Sequence, residues 1–340
     1  MKFADSASLD SFASCLAPGR VPDEDVPVDQ NSEVRLEDAG DGAYEIVGTR
    51  SGDRLGRVAL SGDRVTVEVV PAARRRGVAT AALREVSRLA LRDRERLELL
   101  IPWDNPVALR VALNAGYTRE GIRRGTPELL VYSRLATDSG EPAPRLLPDL
   151  PGGELSDGVI TLRPLGEGDV DFYTELHSVP DVVTTSVPPE PKPADEIRRR
   201  CSRAATQWLT GSRADLVIVD TATGRPAGEI DLYYQEPPLA QAMIGYSTLP
   251  AYRKRGLTTR AAQLLALWVF AETDIVRLVA GALPTNIGSQ RVLEKAGFTR
   301  EAYQRQRLPG PDGGRLDDVQ YVLLAGDLLA QASGAGTSHA

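Results

Sequence analysis

The chain has 340 residues, long for one domain and comfortable for two. Its 40 basic and 47 acidic residues leave a formal charge of −7, which argues against general nucleic-acid binding, where phosphate neutralisation dominates affinity. Two cysteines and two histidines are too few for a disulfide framework or a thiolate- or His-rich metal centre, so no metal is expected.

The opening MKFADSASLDSFASC has no apolar core of signal-peptide length. The longest apolar run, LLALWVFA (264–271), is far too short to span a bilayer. A cytoplasmic protein with no membrane partner is the expectation. Residues 21–42, acidic and turn-rich (VPDEDVPVDQ, then EDAGDG), are expected as exposed loop. YEIVGTR (44–50) and RVTVEVV (64–70) alternate as strands. RRRGVAT (74–80) is a basic turn that opens a helix, VATAALREVSRLALRD (78–93), and LELLI (97–101) is the next strand. NPVALRVALNAGYTREG (105–121) starts a second helix.

From residue 136 the composition turns to Pro and Gly without any period, as in a linker. Beyond it ADLVIVD (214–220), AGEIDLYY (227–234) and a segment ending YSTLP (246–250) predict strands. LTTRAAQLLALWVFAET (257–273) predicts a helix and RLVAGAL (277–283) a strand. His177, within DFYTELHSV, is the one histidine a Ser-His-Asp hydrolase would have to use; it fits a helix-surface or partly buried structural residue better. The end, QASGAGTSHA, has the composition of a disordered tail.

The two halves echo each other. RRRGVAT (74–80) parallels RKRGLTT (253–259), placing Gly77 and Gly256 179 residues apart. NPVALRVALNAGYTREG parallels NIGSQRVLEKAGFTREA (286–302), placing Asn105 and Asn286 181 residues apart. Two motifs at nearly one offset indicate a duplicated domain. The expected organisation is a shortened N-terminal domain (1–137), a linker (138–156), a C-terminal domain (157–330) and a tail (331–340).

A strand that ends in Arg-x-x-Gly before a helix has a physical meaning. The first helical amides lack intrahelical partners and carry the positive end of the dipole. Glycine lets the backbone turn tightly and lets an anion approach those amides. The pattern is neither GxGxxG nor GxxxxGK[ST], so neither a dinucleotide fold nor an NTPase loop is supported.

Strand, [RQ]-x-x-G-x-[GA] turn, helix, strand, then an Asn-led helix ending in Gly-aromatic resembles the GNAT superfamily of N-acetyltransferases. Arg74 to Ala79 fits the turn in full. Arg253 to Thr258 fits except at Thr258, whose branched side chain narrows the space. In the C-terminal half, ITLRPLGEGDVDFYTEL, GRPAGEIDL, IGYSTLPAYRKRG and NIGSQRVLEKAGFTRE resemble the RimJ/RimL-type branch, over about 158–330. The first half resembles only the superfamily core and lacks the full lead-in that shapes an acceptor site.

The resemblance implies an α/β fold, two tandem domains each with a bent, splayed mixed sheet flanked by helices. It implies acetyl-CoA as cosubstrate. The backbone at Val69, Val70, Thr248 and Leu249 would meet the pantetheine amides. Arg75, Arg76, Gly77, Val78, Ala79 and Thr80, and likewise Arg255, Gly256, Leu257, Thr258 and Thr259, would cradle the pyrophosphate. Asn105 and Asn286 would sit near the cysteamine end, and both are equally suited to capping a helix.

The implied reaction is attack of a neutral amine on a thioester, with a proton supplied to the leaving thiolate. The family's tyrosine acid is replaced here by Ala112 and Leu293. Ser289, at N-x-x-S, is the remaining hydroxyl, while the first half has Ala108. For the base, Glu229 stands with Asp231, two apart and on one strand face, and Glu68 is the first-half candidate. All three are also ordinary strand residues, and Met243 fills a place often acidic in this branch. So weak a set of bases suits α-amines, with a pKa of about 7.7–8.0, better than lysine amines at about 10.4. The expected acceptor is therefore an amine-bearing small molecule or peptide N-terminus. Chemistry is placed in the C-terminal domain. The alternatives are that one domain, the N-terminal more readily, is a non-catalytic CoA-binding or structural module, or that both are active. The assembly is expected as a monomeric pseudo-dimer or a homodimer.

Overall fold

A computed structural model describes residues 34–327, which fall into two compact units divided between Arg145 and Leu146. Both are mixed-sheet α/β units. The first runs β1 (Val34–Gly40), β2 (Ala43–Gly48), β3 (Arg54–Ser61), β4 (Arg64–Val69), α1 (Val78–Ala90), β5 (Arg96–Pro102), α2 (Pro106–Asn114), β6 (Thr118–Arg123) and β7 (Leu129–Leu135). Its strands lie in the order β1-β2-β3-β4-β5-β7-β6.

The second unit runs β8 (Leu155–Ser156), β9 (Ile160–Pro164), α3 (Val170–Ser178), α4 (Pro180–Thr185), α5 (Ala194–Leu209), β10 (Arg213–Asp220), β11 (Arg225–Glu236) and β12 (Gln241–Thr248). It continues with α6 (Leu257–Glu272), β13 (Arg277–Ala282), α7 (Ile287–Ala296), β14 (Thr299–Pro309) and β15 (Arg315–Leu324). Its sheet order is β14-β15-β13-β12-β11-β10-β9-β8.

Each sheet is antiparallel except at one place. In the first unit β4 meets β5 in parallel only at Arg64 and Glu98. In the second β12 meets β13 over Gln241–Met243 against Arg277–Val279 and then parts from it. Beyond β4 and β12 the chain enters a short 3-10 turn at Pro71–Ala73 or Pro250–Tyr252 and then α1 or α6. Proline fixes the backbone and removes a ladder donor there, so each strand ends at that turn, several residues after it has parted from its parallel neighbour.

In the second unit alternate strand residues sort to two faces. Leu216, Ile218, Ile230, Leu232, Ile244, Leu278, Ala280, Val319 and Tyr321 share a core with Leu265 and Trp268 of α6. On the opposite face Val217 packs with Tyr173 of α3 and with Ile197, Cys201 and Ala204 of α5.

Two sequence expectations change. Residues 34–40 are not loop but strand β1, paired with β2 around a turn where Asp41 and Gly42 hold positive φ. Its acidic, exposed side chains belong to a sheet edge; residues 21–33 lie outside the described residues. The segment expected as a linker is packed. Ala143 donates its amide to Leu113 in the first unit, while Leu147, Leu150 and Leu155 are buried in the second core. Trp208 Nε1 donates to the Pro148 carbonyl at 2.9 Å. Widely spaced leucines in a Pro-rich stretch give no period, yet each fills a core position. Among the described residues no helix is long and apolar enough to cross a membrane.

Both units hold a glycine where the neighbouring strand comes close. A Cβ on Gly56 would lie 2.1 Å from the Glu68 carbonyl oxygen, and one on Gly228 would lie 2.3 Å from that of Ser247. We expect Gly228→Ala to destabilise the chain by about 1–3 kcal/mol through forced separation of β11 from β12. A chemical-denaturation midpoint equal to that of the parent would contradict the close packing of this pair.

Candidate functional site

The two basic turns have the same backbone. Arg75 and Gly77 have φ of 58° and 73°; Lys254 and Gly256 have φ of 59° and 78°. A non-glycine residue in this left-handed region costs roughly 1–2 kcal/mol, so its recurrence at equivalent places marks a built feature. Alternating left- and right-handed residues curve successive amides into a concave nest for an anion. The first intrahelical bonds run from Ala81 to the Gly77 carbonyl and from Arg260 to the Gly256 carbonyl. No side chain caps either helix. The amides of Val78, Ala79 and Thr80, and of Leu257, Thr258 and Thr259, are thus left without intrahelical partners.

The turn's side chains divide their labour. Arg74 Nε donates to the Val69 carbonyl at 3.2 Å, and Arg253 Nε to the Thr248 carbonyl at 2.9 Å. The first arginine of each turn therefore braces the strand end. Arg253 also forms an ion pair with Asp181 of α4. Arg255 pairs with buried Asp220 at 3.0 Å, and Arg75 and Arg76 stand exposed. The Thr258 hydroxyl is turned back onto Thr248 Oγ1, 2.7 Å away.

At the strand ends the expected backbone contacts are corrected by half. The amides of Val70 and Leu249 donate within the sheet, to Leu55 and Ala227, each at 2.9 Å. In an antiparallel ladder the next residue's groups point the other way. The open edge, where β5 or β13 has parted, is therefore presented by Val67 and Val69 in the first unit and by Tyr246 and Thr248 in the second.

Asn105 and Asn286 both cap their helices. Asn105 Oδ1 accepts from the Ala108 amide at 3.0 Å and Asn286 Oδ1 from the Ser289 amide at 3.1 Å. The Asn286 cap fixes the first turn of α7 and sets Ser289 Oγ 2.9 Å from Tyr246 Oη. Tyr246 Oη also donates to the Ser289 carbonyl at 3.1 Å. Tyr246 has one proton, and a carbonyl only accepts. When that proton is on the carbonyl, the serine hydroxyl donates to the phenol oxygen. Burial pushes the Tyr246 pKa well above the ordinary phenol range against the pull of Ser289, so it stays a donor. Sequence reasoning missed Tyr246. The signal was there: the 179-residue offset of the turns pairs it with Val67, as the 181-residue offset of the asparagine helices pairs Ser289 with Ala108. Ala112 and Leu293 are both fully buried, which leaves no hydroxyl at the helix's next turn.

Glu229 and Asp231 do share a face, but α3 and α5 cover it. His177 Nε2 lies 3.2 Å from Glu229 Oε1, and both side chains are buried. Arg200 reaches Asp215 at 2.9 Å and Asp231 at 3.1 Å, and Arg213 reaches Asp231 at 2.8 Å. Burial by itself would raise the Glu229 pKa; the His177 hydrogen bond and charge, with Arg200, outweigh it and hold the carboxyl down at about 2. A carboxylate so stabilised is a poor proton acceptor, which corrects the choice of Glu229 as base. Burial, then the Glu229 charge, pushes Asp231 the other way. Glu68 is exposed beside Arg57 in the ladder. Among the described residues no group of three His, Cys, Asp or Glu is placed to hold a metal ion.

Residues 160–299 match the family model described as "Acetyltransferase (GNAT) domain". Over 70 residues the chain is 41% identical to the probable N-acetyltransferase YjcK of Bacillus subtilis, covering 21% of this chain and 39% of that protein. Over 66 residues it is 35% identical to the uncharacterized N-acetyltransferase YnaD of the same organism, covering 19% and 39%. The chain thus spans about two fifths of the length of these curated relatives. Among solved structures, Mycobacterium smegmatis RimJ in complex with CoA-disulfide is similar at 21% identity and a TM-score of 0.48, over 54% of this chain and 91% of that one. The spermidine N-acetyltransferase of Vibrio cholerae, with CoA and spermine, is similar at 17% and 0.44, over 50% and 98%.

The depressed Glu229 pKa has a stability consequence. A carboxyl whose pKa falls on folding stabilises above its unfolded value, near 4.5, and that stabilisation is lost as the pH drops towards about 2. We expect Glu229→Gln to cost about 3 kcal/mol at pH 7 by stranding the buried partners, with the gap to the parent closing between pH 4.5 and 2. Urea midpoints at pH 7 and pH 3 check this; a gap that is the same at both would contradict the ion pair.

Proposed function

From a chain whose C-terminal half carries a GNAT acetyltransferase domain, we propose an acetyl-CoA-dependent N-acetyltransferase whose chemistry lies in that half. The observation that carries the reading is the Tyr246–Ser289 hydroxyl pair, 2.9 Å apart, set between an anion nest and an open strand edge.

The nest of residues 254–259 takes the pyrophosphate on the amides of Leu257, Thr258 and Thr259. The pantetheine amides add a strand to the edge of β12 at Tyr246 and Thr248, as an extended peptide does at a free sheet edge. That direction carries the thioester into the gap between β12 and β13, towards the first turn of α7. A neutral amine attacks the thioester carbonyl; the carbon–sulfur bond breaks and the thiolate takes a proton from Ser289 Oγ. As the serine proton leaves, the Tyr246 hydroxyl turns from the Ser289 carbonyl to Oγ and stabilises the charge left there until Oγ takes back a proton from the acylated nitrogen. The raised Tyr246 pKa suits this role, since the phenol donates a hydrogen bond without losing its proton.

The N-terminal unit keeps the nest but has Val67 and Ala108 in place of both hydroxyls. It is a non-catalytic CoA-binding or structural module. The acceptor is an amine of a small molecule or of a peptide N-terminus. The local identity to a probable N-acetyltransferase supports the reaction class.

Acetyl-CoA is expected to bind, with Gly256→Asp and Gly77→Asp each removing one site in calorimetry by placing a carboxylate in a nest. Thiol release with an amine panel should show kcat about 10²-fold lower in Ser289→Ala and about tenfold lower in Tyr246→Phe, with KM for acetyl-CoA little changed. If Gly77→Asp abolishes turnover while Gly256→Asp and Ser289→Ala leave it intact, the chemistry belongs to the other half.

A further inference from the structure

The gap between β12 and β13 is overlooked by two carboxylates, one from each side. Alternation puts Asp231 of β11, Gly245 of β12, Gly281 of β13 and Asp318 of β15 on the face turned away from α6, because their neighbours Ile230, Leu232, Ile244, Ala280, Ala282 and Val319 lie in the α6 core. Each carboxylate is separated from the gap by one strand, and that strand has glycine where a side chain would intervene. Asp231 is paired in register with Gly245, and a Cβ there would lie 3.8 Å from Asp231 Oδ2. Asp318 lies directly over Gly281, where a Cβ would be 2.7 Å from Oδ1 and 2.8 Å from Oδ2.

The two differ in what already satisfies them. Asp231 is held by both Arg200 and Arg213, although its Oδ1, like that of Asp318, has no hydrogen-bond partner among the described residues. Asp318 has a single cation, Arg307 of β14, at 3.4 Å from Oδ2, and that guanidinium also bonds Gln304. Asp318 is 1% exposed, and its Oδ1 has no hydrogen-bond partner among the described residues. A buried carboxylate oxygen left without a donor is costly unless something supplies one. Beyond the end of β13 lies a cavity of about 360 Å³, walled not by Asp318 itself but by Leu283, Pro284 and Thr285 after β13 and by Gln306, Arg315 and Asp317 of the β14–β15 hairpin. Its size suits a small organic group. Its walls include the neighbours of Asp318 and Ala282, and its 283–285 segment leads straight into the Asn286 cap below Ser289.

Resting on the acetyltransferase reading, we propose that Asp318 is the catalytic carboxylate that receives the acceptor's ammonium group and takes its first proton, with Gly281 as the window between them. The ammonium R–NH₃⁺ gives one proton to Asp318 and becomes R–NH₂. Its lone pair forms the nitrogen–carbon bond at the thioester as the carbon–sulfur bond breaks. The second nitrogen proton then balances the one that Ser289 gives to the thiolate, leaving the amide and free CoA thiol. Asp318 returns its proton to solvent. Burial raises the Asp318 pKa above the usual carboxylate range, against the pull of Arg307 and the Ala282 amide, which makes it a stronger base than Glu229. Arg307 is the charged group facing it from β14. Further along this face Arg277 of β13 is paired with Glu301. The N-terminal unit repeats none of this: its register places Leu100 and Leu129 where the second unit has Gly281 and Asp318.

The test uses the full chain saturated with CoA, titrated with alaninamide, a tripeptide with a free N-terminus and putrescine. We expect amine affinity to fall at least tenfold in Asp318→Asn, with CoA affinity unchanged, and to return in part in Asp318→Glu. Gly281→Ala, which leaves the carboxylate in the chain but displaces it, should weaken amine binding in the same way. In acetyl transfer the acidic limb of the kcat/KM–pH profile should be lost in Asp318→Asn. Amine binding within twofold of the parent in both Asp318→Asn and Gly281→Ala, or no amine binding by the parent, would overturn the assignment. Amines that bind through Asp318 but are never acetylated would instead overturn the acetyltransferase reading and leave this site standing.

Discussion

The parting of one parallel strand pair is the constraint on which the rest of the second unit depends. β12 and β13 are hydrogen-bonded for three residues and then separate, while β12 runs on to Thr248 beside β11 before Pro250 ends it and the chain turns into α6. A row of backbone donors and acceptors is left in the middle of the sheet without a strand to satisfy it. Sheets normally protect such edges, and one left open inside a domain is a place for an extended ligand to complete the ladder. That opening sets the rest of the site: the nest at its end, the hydroxyl pair beside it, and the carboxylates that overlook it.

The two halves share this device and differ in what surrounds it. The left-handed residues, the bracing arginine and the asparagine cap recur in both, so the backbone machinery for an anion and an extended ligand has been duplicated. Side-chain chemistry has not. Val67, Ala108, Leu100 and Leu129 stand where the second unit has Tyr246, Ser289, Gly281 and Asp318. The second unit also places α3, α4 and α5 ahead of its sheet, and they bury a charged network that the described residues of the first unit do not repeat. Arg253 ties α4 to the turn through Asp181. That brace couples the helices over the sheet to the position of the anion nest.

Much of this was legible in the sequence, for physical reasons. The nests announce themselves because glycine, which takes a left-handed conformation without strain, stands at their second left-handed position, and because basic residues crowd a helix start. Asparagine caps have a fixed spacing to the helix they open. The strands flanking each turn alternate cleanly. What stayed hidden was three-dimensional. The parity of Glu229 and Asp231 was readable, but not that α3 and α5 would bury them and that His177 would lower one while burial raised the other. α5 was not predicted, since ADEIRRRCSRAATQWL is mostly polar and buries a narrow stripe. Tyr246 could be matched to Val67 by offset alone, yet its meaning came from the 2.9 Å contact with a serine 43 residues away. Asp318 sits in an ordinary-looking strand; the register pairs Gly281 with Gln320, and only the placement of the Asp318 side chain brings its carboxylate over that glycine.

The most direct test of the account is amide hydrogen exchange of the full chain with and without saturating acetyl-CoA. Protection is predicted at Tyr246 and Thr248 on the open edge and at Leu257, Thr258 and Thr259 in the nest, with Val70 and Leu249, already bonded within their sheets, unchanged. Exchange at the open edge and the nest that is the same with and without the cofactor would contradict it.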